Sequence, residues 1–336
     1  MRLSRRRFLT ITASVAALAG RSAPVRAATL AETLVEWRGT VLGAAASLRL
    51  HHPDTAAAER LVAACVAEVE RLDGVFSLYR ADSALSVLNR RGVLEAPPLD
   101  LVELLGEALR FAALTSGAFD PTVQPLWVLH AAHFSREGAD PHGPDAGAVA
   151  TARELVDHRR VAVGPARIAL ARRGMAITLN GIAQGFITDR VADLLRQAGM
   201  RDVLIDMGEI AALGRRPDGR PWSVGLDGHG DPAPVLPVGD RAVATSSPDG
   251  TRFSPLCHHL FDPATGRCAD RVDAVTVVAP RATTADALST ALAIVPPEHA
   301  GPLLEAAGPA WALVTRAGER RLVGDLRWGD PLPSLR

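Results

Sequence analysis

Leu179–Asp189 reads LNGIAQGFITD. Two glycines, Gly181 and Gly185, flank the polar Gln184, and the stretch follows the short apolar run Met175–Leu179. Downstream, FITDRVADLLRQAG repeats Ile187, Val191, Leu194 and Leu195 at helical spacing. This order predicts a strand, a glycine-bearing turn and the start of a helix. Such a turn lets a ligand approach the backbone, and unpaired N–H groups at the helix start favour an anion such as phosphate. Most turns of this kind are only turns, so the segment takes its chemistry from whatever the rest of the chain places beside it.

On the N-terminal side, Trp37–Leu50 reads as one or two strands, and Asp54–Leu72 as an amphipathic helix with Leu61, Val62, Cys65, Val69 and Leu72 on one face. In FSLYRADSALSVLN, Asp82 or Ser83 caps a short helix carrying Leu85 and Leu88. Tyr79, the chain's one tyrosine, is either a core-edge ring or a platform for a flat heterocycle. Leu99–Leu114 is a second amphipathic helix. AFDPTVQPLW then resists regular structure, because Pro121 and Pro125 break a helix or a central strand. His133–Ala148 reads as a surface loop and Ala150–Val156 as a short helix. RRVAVG and RIALAR are strands joined by a turn at Gly164-Pro165.

On the C-terminal side, Val203–Met207, Trp222–Leu226, Ala242–Ser246 and Val275–Val278 are strands, and Ala285–Ile294 is a helix. Turns join most of the strands. The expected class is therefore α+β with largely antiparallel sheets, not a succession of βαβ units.

The first residues read as an address. Ser4-Arg5-Arg6-Arg7-Phe8-Leu9 precedes the apolar run Ile11–Gly20 and the small-residue site Val25-Arg26-Ala27. This order of segments is that of a secretory signal of the twin-arginine type. The division expected is a signal peptide over 1–27 and one domain over 28–336, with the mature chain in the periplasm. The apolar run is well short of the roughly 20 residues that span a bilayer. Lysine plus arginine equal aspartate plus glutamate at 37 each, and no basic run interleaved with aromatics follows the signal, which argues against nucleic-acid binding.

ADALSTAL sets Asp286 and Thr290 four residues apart on one helix face. A carboxylate and a hydroxyl suit Mg²⁺, which completes its shell with water and phosphate oxygens. The same pair also fits an aspartate at a helix start and a threonine bonded to the preceding turn. His259, before an Asp-Pro turn, is a further polar candidate. Cys257 and Cys268 flank HHLFDPATGR and meet across a hairpin if one forms there. A disulfide and a metal site are both open, although Cys257-His258-His259 with Cys268 fits no common zinc spacing.

Six runs in order, RGTVLGA, FSLYRADSALSVLN, SGAFDPTVQPLW, LNGIAQGFITD, HHLFDPATG and ADALSTAL, resemble the FAD:protein FMN transferase (ApbE) family over nearly the whole mature chain. The spelling LNGIAQGFITDRVADLL with LIDMGEIAALGRRPDGRPW is similar to the branch that accompanies nitrous-oxide respiration (NosX-like). The resemblance implies sheets packed with helices in two intimate lobes, with the active site in their cleft. It implies an enzyme that cleaves FAD at its pyrophosphate, joins FMN to a Ser or Thr hydroxyl of a target flavoprotein and releases AMP. For the branch, that target is a NosR-like membrane protein. By the resemblance, Asp286 and Thr290 bind Mg²⁺ with the main chain of Gly181. Arg38, Tyr79, Ala118, Phe119, Asp120, Thr178, Gln184, Phe261 and Ser289 fall where the family contacts FAD, and His259 falls where a histidine activates the target hydroxyl. Four departures stand out. Thr178 replaces an aspartate, Gln184 a lysine or glutamate, Arg38 a methionine, and Gly208-Glu209 a double glycine. Two other readings use the same residues: an FAD carrier that never breaks the pyrophosphate, and an FAD pyrophosphatase.

Overall fold

Asp54 and Ser83 each end an extended segment and accept a backbone N–H from the first turn that follows, Asp54 from Ala57 and Ser83 from Ser86, so two helices start where the sequence expects. The computed structural model describes residues 33–226, 230 and 233–324, and the 1–27 address lies outside them. The first half runs β1 (Thr33–Val41), β2 (Ala44–His52), α1 (Thr55–Phe76), α2 (Ala84–Arg91), β3 (Val93–Glu95), α3 (Leu99–Leu114), α4 (Gln124–Phe134), α5 (Ala146–Arg153), β4 (Val161–Val163) and β5 (Arg167–Leu170). The second runs α6 (Ala183–Gln197), β6 (Val203–Asp206), β7 (Ile210–Leu213), β8 (Trp222–Gly225), β9 (Val235–Val238), β10 (Ala242–Ser246), β11 (Ala274–Ala279), α7 (Ala282–Ile294), α8 (Ala300–Ala307), β12 (Trp311–Arg316) and β13 (Glu319–Gly324).

Eight strands form the central sheet in the order β1-β2-β6-β7-β10-β11-β12-β13, and every neighbouring pair is antiparallel. A three-stranded sheet β3-β5-β4 and the hairpin β8-β9 complete an α+β fold. One face of the central sheet, with Leu48, Leu50, Ile205, Ala244 and Val277, shares a core with α1, α3, α6 and α7. The other face, with Val243, Val278, Trp311 and Leu313, packs against Trp222, Val224, Leu236 and Val238 of the hairpin. β11 is buried at every position, and its sequence AVTVVA, apolar except for Thr276, which shares a 2.7 Å hydrogen bond with Thr245, reflects cover on both faces.

α6 buries Ile187, Val191 and Leu195, each contributing about 1.5–3 kcal/mol through burial. Phe186 meets Phe76 of α1 edge to face at 5.6 Å. This packing fixes the Gly181–Gly185 stretch against the sheet.

Two local expectations are corrected. Met175–Leu179 is not a strand. Ile177 exchanges both of its backbone hydrogen bonds with the side-chain amide of Asn89, donating at 2.7 Å and accepting at 2.8 Å, and Thr178 donates to the Pro121 carbonyl at 2.8 Å. One side chain and one loop carbonyl thus do the work of a neighbouring strand. AFDPTVQPLW, in turn, is ordered: Pro121 opens a 3-10 turn and Pro125 lies in the first turn of α4, where the missing N–H has no intrahelical partner to lose. α5 also begins four residues before the expected Ala150.

Candidate active site

The glycine turn and the last long helix meet at Asp286. Gly185 lies inside the first turn of α6, and its amide donates to Oδ2 of Asp286 at 3.0 Å. A β-carbon at Gly185 would overlap the Ala282 carbonyl and lie 2.8 Å from Cβ of Asp286, so only glycine lets the two helices approach this closely. One turn further along α7, Thr290 faces Gly181, where a β-carbon would lie 2.9 Å from Oγ1 of Thr290 and 3.3 Å from Cε2 of Phe119. Gly181, Asp286, Thr290 and Phe119 therefore come together, although the chain separates them widely.

The start of α6 is not an anion nest. The amides of Ile182 and Ala183 both donate to the Leu179 carbonyl, and that of Gly185 is taken by Asp286. The sequence reading of unpaired N–H groups is corrected: a carboxylate from a distant helix occupies the position an anion would take. The second helix start is satisfied in the same way. Asp189 of α6 accepts from the amides of Ala282 and Thr283 at 2.9 Å each and from the Thr283 hydroxyl at 2.6 Å, capping α7 from outside.

Asp286 has acidic company. Glu209, in the β6–β7 turn, and Asp206, at the end of β6, lie close enough to act on one another electrostatically. Burial raises the Glu209 carboxyl well above the usual carboxylate range, and the charges of Asp286 and Asp206 add to it. Burial likewise raises Asp286, against the opposing Gly185 amide, and moves Asp206 up to about 6. The turn is pinned to α6: Thr188 donates to the carbonyls of Gln184 and Glu209, and a β-carbon at Gly208 (φ +98°) would overlap the amide of Gln184. Gln184 therefore lies directly over the turn. Glu209 is the residue that sequence reasoning undervalued; the signal was a glutamate in the apolar stretch LIDMGEIAAL.

Around this centre the other candidates take distinct positions. Ser289 is buried, donates to the Asp286 carbonyl at 3.0 Å and shares a 2.8 Å hydrogen bond with Ser246 at the end of β10. Asp120 Oδ1 holds its own loop by accepting from Thr122, and Oδ2 accepts from His158, tying that loop to the His158–Arg160 turn. Ala118 and Phe119 are folded back onto Thr115. The hydroxyl of Thr178 accepts from the Asn180 amide. Tyr79, 66% exposed, lies against Gly43 in the β1–β2 turn. Arg38 is paired with Glu36 on the edge strand, in register with Ser47 and, one strand further, Asp206, about 10 Å away by strand spacing.

His259 packs against the turn that follows β10. After Ser246, Ser247 caps a short 3-10 turn ending at Gly250, and a β-carbon there would lie 3.1 Å from the His259 ring. The His259 amide donates to the Thr251 carbonyl, and Nδ1 lies 3.2 Å from the same oxygen. With the proton on Nδ1, Nε2 is left as the basic nitrogen. Burial lowers the His259 pKa below the ordinary histidine value, which keeps the ring neutral and able to accept a proton. Its neighbour His258 is buried, with Nδ1 accepting from the Leu260 amide. Phe261, 3% exposed, stacks near His130 and Phe253.

The profile of the ApbE family matches residues 40–314. The chain is 36% identical over 253 residues to the FAD:protein FMN transferase of Treponema pallidum, covering 66% of this chain and 68% of that one. With the enzyme of the same name from Klebsiella pneumoniae it is 29% identical over 314 residues, 88% of this chain and 84% of that one. Among solved structures it superposes on the flavin transferase ApbE of Vibrio cholerae with a TM-score of 0.74 at 27% identity, covering 87% and 96% of the two chains. The apo flavinyl transferase ApbE of Pseudomonas stutzeri gives 0.73, also at 27%, with 87% and 94% covered. By sequence along most of its length and by architecture, the chain belongs to the ApbE family.

Proposed function

We propose that the chain is a transferase that moves FMN from FAD to a Ser or Thr hydroxyl of a target flavoprotein and releases AMP. One observation carries the reading: Gly181, in the turn before α6, meets Asp286 and Thr290 of α7 beside the buried Glu209 carboxyl. Carboxylate, hydroxyl and main-chain oxygens form a hard donor set that fits Mg²⁺, and a bound cation would favour the ionised form of the Asp286 and Glu209 carboxyls, which burial alone disfavours. When bound, Mg²⁺ would neutralise charge on the pyrophosphate oxygens.

The chain's own groups supply the rest. His259, neutral and with Nδ1 held by Thr251, takes the proton of the target hydroxyl at Nε2. The freed oxygen bonds to the phosphorus of the FMN half. The bond from that phosphorus to the bridging oxygen breaks, and AMP departs with its electron pair. Phe119, against Gly181, and Gln184, over the Gly208 turn, orient the dinucleotide, which brings the reacting atoms into line.

We further propose that residues 1–27 are a twin-arginine signal, which makes the site of action periplasmic, and that the target is a NosR-like membrane flavoprotein of nitrous-oxide respiration. The SRRRFL run and the branch-like spelling around Gln184 support these two readings.

The test is incubation of the mature chain with FAD, Mg²⁺ and the soluble flavin-bearing domain of such a target, reading the target's intact mass and released AMP. A mass gain equal to FMN, lost without Mg²⁺, supports the proposal. FAD retained without AMP would mean a carrier, and free FMN without an adduct a pyrophosphatase.

A further inference from the structure

His130, Cys257 and Cys268 converge at the loop that carries His259 and Phe261, with the His130 ring 4.5 Å from that of Phe261. A ring nitrogen of His130 and the two Sγ atoms all lie within 4.8 Å of one another. His130 comes from α4, while the two cysteines bracket the loop that carries His259 and Phe261. The sequence, which showed only the pair and its neighbouring histidines, gave no sign of His130.

Three features make this a built site and not a chance meeting of thiols. First, His130 is 3% exposed and its Nδ1 lies 2.9 Å from the Leu126 carbonyl one turn earlier. That bond places the proton on Nδ1 and leaves Nε2 as a lone-pair donor, the arrangement by which metal-binding histidines are fixed. Second, Gly143 (φ +102°) closes over the group: a β-carbon there would lie 3.4 Å from Sγ of Cys257 and 3.7 Å from Nε2 of His130. Third, Cys268 is positioned by main chain, its Sγ 3.3 Å from the His258 amide and 3.2 Å from the His258 carbonyl. A disulfide would use the two sulfurs but would give the oriented imidazole no purpose.

We propose that His130, Cys257 and Cys268 form a binding site for a thiophilic d¹⁰ cation, Zn²⁺ or Cu⁺. Ligand atoms around one such ion stand roughly 3.5–4 Å apart, so small side-chain rotations complete the site. Binding replaces the thiol protons, which pass to solvent, and the bound ion fastens the 257–268 loop to α4. Fastening that loop would also hold His259, a consequence that rests on the functional reading above. The binding itself does not.

The test uses the untagged mature chain, reduced and handled without oxygen, with neither FAD nor target present. Zn²⁺ and Cu⁺ are titrated separately against chromophoric chelators, and Co²⁺ is added as a spectroscopic probe. The expected result is one tight equivalent of at least one of the two ions and a thiolate-to-cobalt charge-transfer band. Cys268→Ser, at a half-exposed position, should abolish the band while leaving the thermal unfolding transition cooperative, and His130→Gln should weaken binding by tenfold or more. The proposal is overturned if the reduced chain takes up neither ion tightly, if binding survives both substitutions, or if the two cysteines serve only as a disulfide whose reduction yields no metal binding. Loss of FMN transfer with metal binding intact would count against the functional reading alone.

Discussion

Asp286 and Gly185 are 101 residues apart in sequence, yet the Gly185 amide donates to the Asp286 carboxylate at 3.0 Å. This contact fixes the distance between α6 and α7, and Gly181 and Thr290 face one another because of it.

Gly185→Ala should destabilise the protein by about 1–3 kcal/mol, because the added carbon meets the Ala282 carbonyl and Cβ of Asp286, neither of which can rotate away. Gly74→Ala in α1 is the matched control: nothing lies within 4 Å of the added carbon, and a gain of roughly 0.5–1 kcal/mol is expected from helix propensity. Urea unfolding of the two variants measures both, and FMN transfer should fall only in the first.

Asp286→Ala should lower FMN transfer by at least about 10²–10³-fold, the scale of losing one electrostatic group aimed at developing charge. Far-UV circular dichroism should stay native. Wild-type turnover in this variant would remove Asp286 from the metal assignment.

The buried acids give stability a definite pH dependence. Asp206, at about 6, and Glu209 and Asp286, both raised, hold protons in the folded state that the unfolded chain releases near its ordinary carboxylate values. Their contribution is complete below about pH 4 and is lost as pH rises through the folded values. In EDTA the melting temperature should therefore fall between about pH 5 and 8, with a shallower fall in Glu209→Gln. Mg²⁺ should raise the melting temperature more at the upper end of that range than at the lower. Thermal unfolding across the series with and without Mg²⁺ checks the sign.

His259→Ala should reduce transfer by about 10²–10⁴-fold, as expected for removal of a general base. Because burial lowers the His259 pKa, the acid limb of the wild-type rate profile should lie below the ordinary histidine value of about 6.5. In His259→Ala that limb should disappear. A pH profile of initial AMP release under saturating FAD makes the comparison.

Legibility followed the range of the interactions involved. Asp54, Ser83 and the apolar faces of α1, α3 and α6 are local features, and the helices formed where their spacing placed them. Pro125 was misread as a breaker because proline ends a helix interior but is tolerated in the first turn, and the boundary itself is set by the Asp120 cap and the packing of Leu126. The extended run before Gly181 looked like a strand because the sequence does not reveal that its partner is the side chain of Asn89. Strands β7, β9, β12 and β13 are short or terminal, and pairing across the sheet rather than an individual pattern defines them. At the site, Asp286 and Thr290 share a helix and were visible as a pair. Asp206, Glu209, Ser246 and His130 join their clusters only through tertiary contacts.

The 101-residue interval between Gly185 and Asp286 also orders events during synthesis. At about 5–20 residues per second, a ribosome needs roughly 5–20 s to extend the chain from one to the other. For that time α6 exists without its partner helix, the Gly185 amide has no carboxylate to meet, and Gly181 has no threonine across from it. Every nascent chain that stops short of α7 therefore lacks both Asp286 and Thr290, the side-chain oxygens beside the turn. Competence to act on a dinucleotide arrives late, and a truncated translation product with an intact N-terminal half would be folded in part yet chemically silent.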